Sequence, residues 1–157
     1  MLTHARFKGV ICTPGIHRIV KLTKPSKPND LDFESLKQGL DEYNESFTGQ
    51  VLSETVASFV KDENGSVLGG ILGEINWDWL YIRGLWVDER VRNDSWGSKL
   101  LRSLELHAIS QGVLGIRLET TTFQALDFYK KYGYSVFAEL PDMPKGHTSY
   151  FLKKNVI

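Results

Sequence analysis

Sulfur chemistry is almost absent from this chain. One cysteine, Cys12, stands among 157 residues, so no internal disulfide can form and no thiolate cluster can hold a metal. Net charge is missing as well. Nineteen basic side chains balance 19 acidic ones, which leaves no global attraction to nucleic acid or to an anionic membrane. Apolar residues never run for the roughly 20 positions that a spanning helix needs. The first residues, Met1 to Gly9, lack the apolar core of a signal peptide. His107 and His147 have no partner at metal-ligand spacing, so no metal is expected. What remains is 41% hydrophobic and 24% charged, an ordinary globular composition and length for one domain over 1–157, with 1–15 a loose arm. These features favour a cytoplasmic enzyme or binding protein without a nucleic-acid or membrane partner.

Periodicity organises the rest. Alternation over Ile16–Leu22 predicts a strand. After a turn at Pro25 and Pro28, the residues Phe33, Leu36, Leu40, Tyr43 and Phe47 recur every three or four positions and predict a helix over Leu31–Glu45. Asn29, Asp30 and Asp32 are the candidate caps. Strands are expected over Thr55–Val60 and Val67–Ile75, joined by Asp62-Glu63-Asn64-Gly65, whose Asn-Gly pair accepts positive φ. A tight turn at Asn76–Trp79 leads to a strand over Leu80–Val87, in which Gly84 marks a bulge. A helix over Ser95–Gln111 follows, with Trp96, Leu100, Leu101, Leu104 and Ala108 on one face. Then come a strand over Leu114–Thr120, a short helix over Phe123–Tyr132, and strands over Tyr134–Glu139 and Thr148–Leu152. This order predicts an α/β fold: a mixed, mostly antiparallel central sheet of six or seven strands with helices on both faces. The strands before and after the long helix should be parallel neighbours.

The most informative stretch runs from Leu85 to Leu101. It reads as a buried strand, a polar turn of small residues, and the first turn of an amphipathic helix. Backbone N–H groups at such a helix start have no partner, and they suit a pyrophosphate. Taken alone, the same turn is equally a plain capped helix start. The spacing here is Arg92-x-x-Ser95-x-Gly97.

Three patterns in order resemble the GNAT N-acyltransferases, from about Ile16 to Lys154. The first is Leu85-Trp86-Val87 followed by Arg92-x-x-Ser95-x-Gly97-Ser98. The second is Ala125-Leu126-Asp127-Phe128-Tyr129 through Gly133-Tyr134. The third is the closing Gly146-His147-Thr148-Ser149-Tyr150-Phe151-Leu152-Lys153-Lys154. Asn93 and Ser95 stand where that family usually has glycine. Asparagine tolerates left-handed backbone, so Asn93 is expected to keep the turn. Asp94 must point outward or cap the helix to spare an anion.

The resemblance implies acetyl-CoA as co-substrate and no metal. Its pyrophosphate would lie on the amides of Arg92, Asn93, Asp94, Ser95, Trp96, Gly97 and Ser98, with the Arg92 side chain adding a charge-assisted contact. The pantetheine arm would pair with the backbone of Trp86 and Val87 and pass Phe128. Tyr129 would protonate the departing thiolate, and Glu119 would take the proton of the amine. Tyr81, Arg83 and Glu74 would orient the acceptor, a small-molecule amine first, with a protein or peptide amine as the second choice. Each residue has a plainer reading too: Tyr129 as core packing, Glu119 as a solvated strand-end carboxylate. Transfer would be direct, in a ternary complex. A non-catalytic acyl-CoA-binding module that keeps the fold is the rival. Edge strands near the C-terminus would allow a homodimer.

Overall fold

The computed structural model describes residues 20–50 and 53–156. The N-terminal arm, Cys12 and most of the strand expected over Ile16–Leu22 lie outside these residues, and positions 20–22 are irregular. Contacts divide the chain at Gln38/Gly39 into two units. Helix α1 (Asp30–Thr48) crosses that boundary. Asn29 caps it, its side-chain oxygen accepting the Asp32 N–H at 2.8 Å, and Gly49 ends it at φ 71°. The apolar positions Phe33, Leu36, Leu40, Tyr43 and Phe47 are exposed.

Strands β1 (Glu54–Lys61) and β2 (Val67–Asn76) form the expected hairpin. Asp62 holds its turn by accepting the N–H groups of Asn64 and Ser66 at 2.9 and 2.8 Å. Gly65 alone in that turn takes positive φ. The next turn has Trp77 and Asp78 both left-handed, at φ 47° and 62°, as a two-residue hairpin requires. It leads into β3 (Trp79–Val87). A 3-10 turn over Glu89–Asp94 and helix α2 (Trp96–Ser110) follow. Strand β4 (Gly115–Thr121) then runs parallel to β3, as expected.

Helix α3 spans Leu126–Lys131, three residues later than the periodicity suggests at its start. The side chain of Gln124 accepts the Thr121 N–H at 3.0 Å, and the Gln124 N–H donates back to the Thr121 carbonyl at 2.9 Å. That local turn occupies the residues before the helix. Strands β5 (Ser135–Pro141) and β6 (Thr148–Asn155) close the sheet, whose order is β1-β2-β3-β4-β6-β5. Every described ladder but β3–β4 is antiparallel.

One face of the sheet carries the core. Ile71, Leu80, Ile82, Ile116, Leu118 and Leu152 meet Leu100, Leu101, Leu104 and Ala108 of α2 and Tyr129 of α3. The two helices therefore pack against that same face. Gly73 permits the close approach of α2: a Cβ there would lie 2.8 Å from Leu80 Cδ1 and 3.2 Å from Leu104 Cδ2.

Candidate active site

The parallel ladder joins Trp79–Ile82 to Gly115–Leu118 and then stops. On its other side β3 carries a bulge. Leu72 faces Gly84 while Gly73 faces Ile82, so Arg83 is an extra residue without a partner. A bulge bends its strand, and here β3 leaves β4 beyond it. The bulge expected at Gly84 is present. The Asp88 N–H donates to the Leu68 carbonyl at 2.8 Å. Alternation then turns the peptides of Gly84 and Trp86 toward β2 and those of Leu85 and Val87 toward the opening. The peptide of Trp86 thus faces Gly70, while its half-exposed side chain borders a groove.

A cleft of about 460 Å³ fills the opening. Tyr129 and Glu119 both line it, with Arg83, Leu85, Thr120 and Gln124. Tyr129 is 7% exposed. Its ring meets Phe128 and Tyr134 edge-on, with centroids 5.2 and 5.7 Å apart. Burial pushes its hydroxyl pKa up, so it stays protonated. Sequence reasoning missed Leu85 and Gln124. Gln124 also receives the Thr120 hydroxyl at 3.3 Å. Nor did spacing reveal that the Thr122 hydroxyl lies 3.0 Å from His147 Nδ1, since 25 residues separate the two loops.

The cleft shares Leu85, Arg92 and Ala125 with a groove of about 500 Å³. Val87, Ser95, Gly97, Ser98 and Phe128 line this groove. Between Val87 and Ser95 the chain makes the 3-10 turn, which Asp88 caps by accepting the Arg90 N–H at 2.9 Å. Hydrogen bonds from the Arg90 side chain and backbone lower the Asp88 carboxyl pKa to about 2. The chain reverses at Ser95, φ 60°, rather than at Asn93, which continues the 3-10 turn. Ser95 makes no side-chain cap. Its carbonyl accepts the Lys99 N–H at 3.1 Å, so the N–H groups of Trp96, Gly97 and Ser98 precede the first intrahelical bond of α2. Asp94 is exposed. Asp94, Asn93 and Trp96 line neither cavity. The Trp96 ring lies 4.0 Å from Lys99 Nζ.

Of the three acceptor candidates, Arg83 alone lines the cleft. Its Nη1 is 3.9 Å from Glu74 Oε2, and Glu74 Oε1 accepts the Ser53 hydroxyl at 2.9 Å. Tyr81 faces Glu74 across the β2–β3 ladder, with the Arg117 guanidinium 4.1 Å from its ring centre. Among the described residues no cluster of His, Cys, Asp and Glu could hold a metal, and no helix is long and apolar enough to cross a membrane.

The chain is similar to known proteins. A profile of the acetyltransferase (GNAT) family matches residues 16–134. Blasticidin-S acetyltransferase of Streptomyces morookaense is 38% identical over 104 residues, which are 66% of this chain and 76% of that protein. The crystal structure of an acetyltransferase from Bacillus cereus is 36% identical, with a TM-score of 0.76 over 85% of this chain and 98% of the other. An aminoglycoside 6'-N-acetyltransferase complexed with coenzyme A has the same fold, at 20% identity and a TM-score of 0.58 over 82% of each chain. The parted strands, the helix start beside them and these likenesses agree: the chain belongs to the GNAT family of acetyltransferases.

Proposed function

We propose that this enzyme transfers an acetyl group from acetyl-CoA to a primary amine of a small molecule, by direct attack with both substrates bound. The observation that carries this is the parting of β3 and β4 beyond Ile82 and Leu118. It leaves unpaired peptides, a protonated tyrosine and a carboxylate around one cleft. The residues present fit the carrier. The groove leads from the open strand edge to the unpartnered N–H groups of α2, where the helix dipole also favours a diphosphate. Acetyl-CoA supplies an activated acyl carbonyl and a thiolate leaving group.

The chain's own groups do the rest. An alkylammonium has a pKa of about 10, so the amine must lose a proton before it attacks. Glu119 lines the cleft and takes that proton, directly or through water. The N–H groups of Leu85 and Val87, turned to the opening, donate to the acyl oxygen as negative charge builds there. Tyr129 donates its hydroxyl proton to the departing sulfur. Arg83 orients the acceptor, with Glu74 and Tyr81 behind it. A cleft of about 460 Å³ is the size of a small-molecule site. The named acceptors of two relatives, blasticidin-S and an aminoglycoside, support the same class.

A thiol-release assay with acetyl-CoA over a panel of primary amines tests the reading. Acceptor-dependent release of CoA is expected. Thermal stabilisation by acetyl-CoA with no release from any amine would instead describe a binding module. Absence of any acetyl-CoA effect on melting or titration heat would end both readings.

A further inference from the structure

We propose that Arg92 selects for carriers that bear a diphosphate, because its side chain lies across the path of the pantetheine arm and only an anion draws it off. The inference rests on the acetyl-CoA reading above and deepens it. Val87 turns its carbonyl to the open edge of β3, where an extended arm with amide groups would pair as an added strand does. That carbonyl already has a donor, Arg92 Nε at 3.1 Å. The same side chain lines both the cleft and the groove, so the guanidinium stands at their junction. An arm passing from groove to cleft meets it there.

What holds the guanidinium is weak. Besides Val87, it has Glu89 Oε1 at 3.5 Å from Nη1, with the Glu89 side chain 84% exposed. Exposed ion pairs of this kind contribute little. A diphosphate at the start of α2 offers a planar guanidinium two-point, charge-assisted bonding. Such a carrier therefore replaces both contacts as it enters. A pantetheine thioester without the diphosphate replaces the donor at Val87 but offers the displaced guanidinium no anion in return.

Calorimetric titration of wild type, Arg92→Ala and Arg92→Gln with CoA and with pantetheine tests this, with melting temperature as the check on folding. Arg92→Ala should bind CoA about 10- to 100-fold more weakly, having lost a charge-assisted contact. It should bind pantetheine about two- to fivefold more tightly, because one competing hydrogen bond is gone. Arg92→Gln keeps a donor for Val87 without the charge, so it should lose CoA affinity and gain nothing for pantetheine. Pantetheine affinity that is unchanged, lower or undetectable in Arg92→Ala overturns the proposal, while normal CoA binding by wild type leaves the acetyl-CoA reading standing. Wild type that binds neither CoA nor pantetheine overturns that reading itself.

Discussion

Ile82 pairs with Leu118, and there the parallel ladder ends. Arg83, next in the chain, has no partner on β2. The extra residue bends β3, and the bend is what exposes the peptides of Leu85 and Val87. Deletion of Arg83 restores one-to-one register between β2 and β3 and brings the strand edges back together. The expected result is a folded protein, with a cooperative melt, that no longer binds CoA in titration. Undiminished CoA binding would show that the opening does not depend on the bulge.

Tyr129 offers a sharper test of chemistry. Tyr129→Phe keeps the edge-on ring contacts with Phe128 and Tyr134 and removes only the hydroxyl. Loss of a positioned acid costs roughly 10²- to 10⁴-fold in rate, so kcat should fall by that order while melting barely moves. Burial raises the pKa of this hydroxyl above the usual tyrosine value of about 10. A raised value keeps the protonated form throughout the neutral range. Its contribution to stability is complete below about pH 10 and is lost above it. The pH–rate profile should therefore rise as the amine deprotonates and show no decline from Tyr129 below about pH 10. A fall of only a few-fold in Tyr129→Phe would leave the residue as packing.

Most strands were legible to within two residues, because alternation and turn chemistry are local. Asp62–Gly65 and the left-handed Trp77–Asp78 pair show this. The site was legible where one short segment builds it. Arg92 to Ser98 and Ala125 to Tyr129 are such segments. Elsewhere the signal was lost for identifiable reasons. The left-handed residue of the loop is Ser95 rather than Asn93, since the Asp88 cap carries the 3-10 turn through Asp94. Helix α3 starts late because a turn, closed by the Gln124 N–H on the Thr121 carbonyl and by the Gln124 side chain on the Thr121 N–H, occupies the residues before it. Leu85 gained its role from a register shift against a different strand. The contact between Thr122 and His147 exists only once β4 and β6 are paired.

Gly97 should separate stability from binding. It lines the groove, and a Cβ there would meet Phe128 at 3.8 Å and Val87 at 4.0 Å, ordinary contact distances. Gly97→Ala therefore fits the protein, and as a helix residue it gains about 0.5–1 kcal/mol. The same methyl narrows the groove where a backbone N–H should meet the diphosphate. Crowding of this kind costs about 1–3 kcal/mol, so CoA should bind at least about fivefold more weakly while the melting temperature holds or rises. Calorimetry and a melting curve read both effects. Unchanged CoA affinity would move the diphosphate away from this turn.

Glu105 ties helix α2 to the closing strands of the sheet. Its Oε1 accepts the Tyr134 hydroxyl at 2.9 Å and Lys154 Nζ at 3.0 Å. Burial and the Glu105 charge both push the Tyr134 pKa up, so Tyr134 remains the donor at every working pH. The cluster joins α2, the start of β5 and β6, and the Tyr134 ring packs edge-on against Tyr129. Glu105→Ala strands an ammonium and a hydroxyl that are both largely shielded from water. Partial exposure of Lys154 moderates the loss to about 1–3 kcal/mol, or roughly 2–12 °C in melting temperature for a chain of this size. Glu105→Gln keeps an acceptor for Tyr134 and should lose less. Adding Tyr134→Phe to Glu105→Ala should cost less than Tyr134→Phe does alone, because the shared hydrogen bond is already gone. Strict additivity of the two losses would show that the pair does not act as one unit. If Tyr134 also fixes the Tyr129 ring, kcat in Glu105→Ala falls while KM for acetyl-CoA stays put, a split that simple destabilisation does not produce.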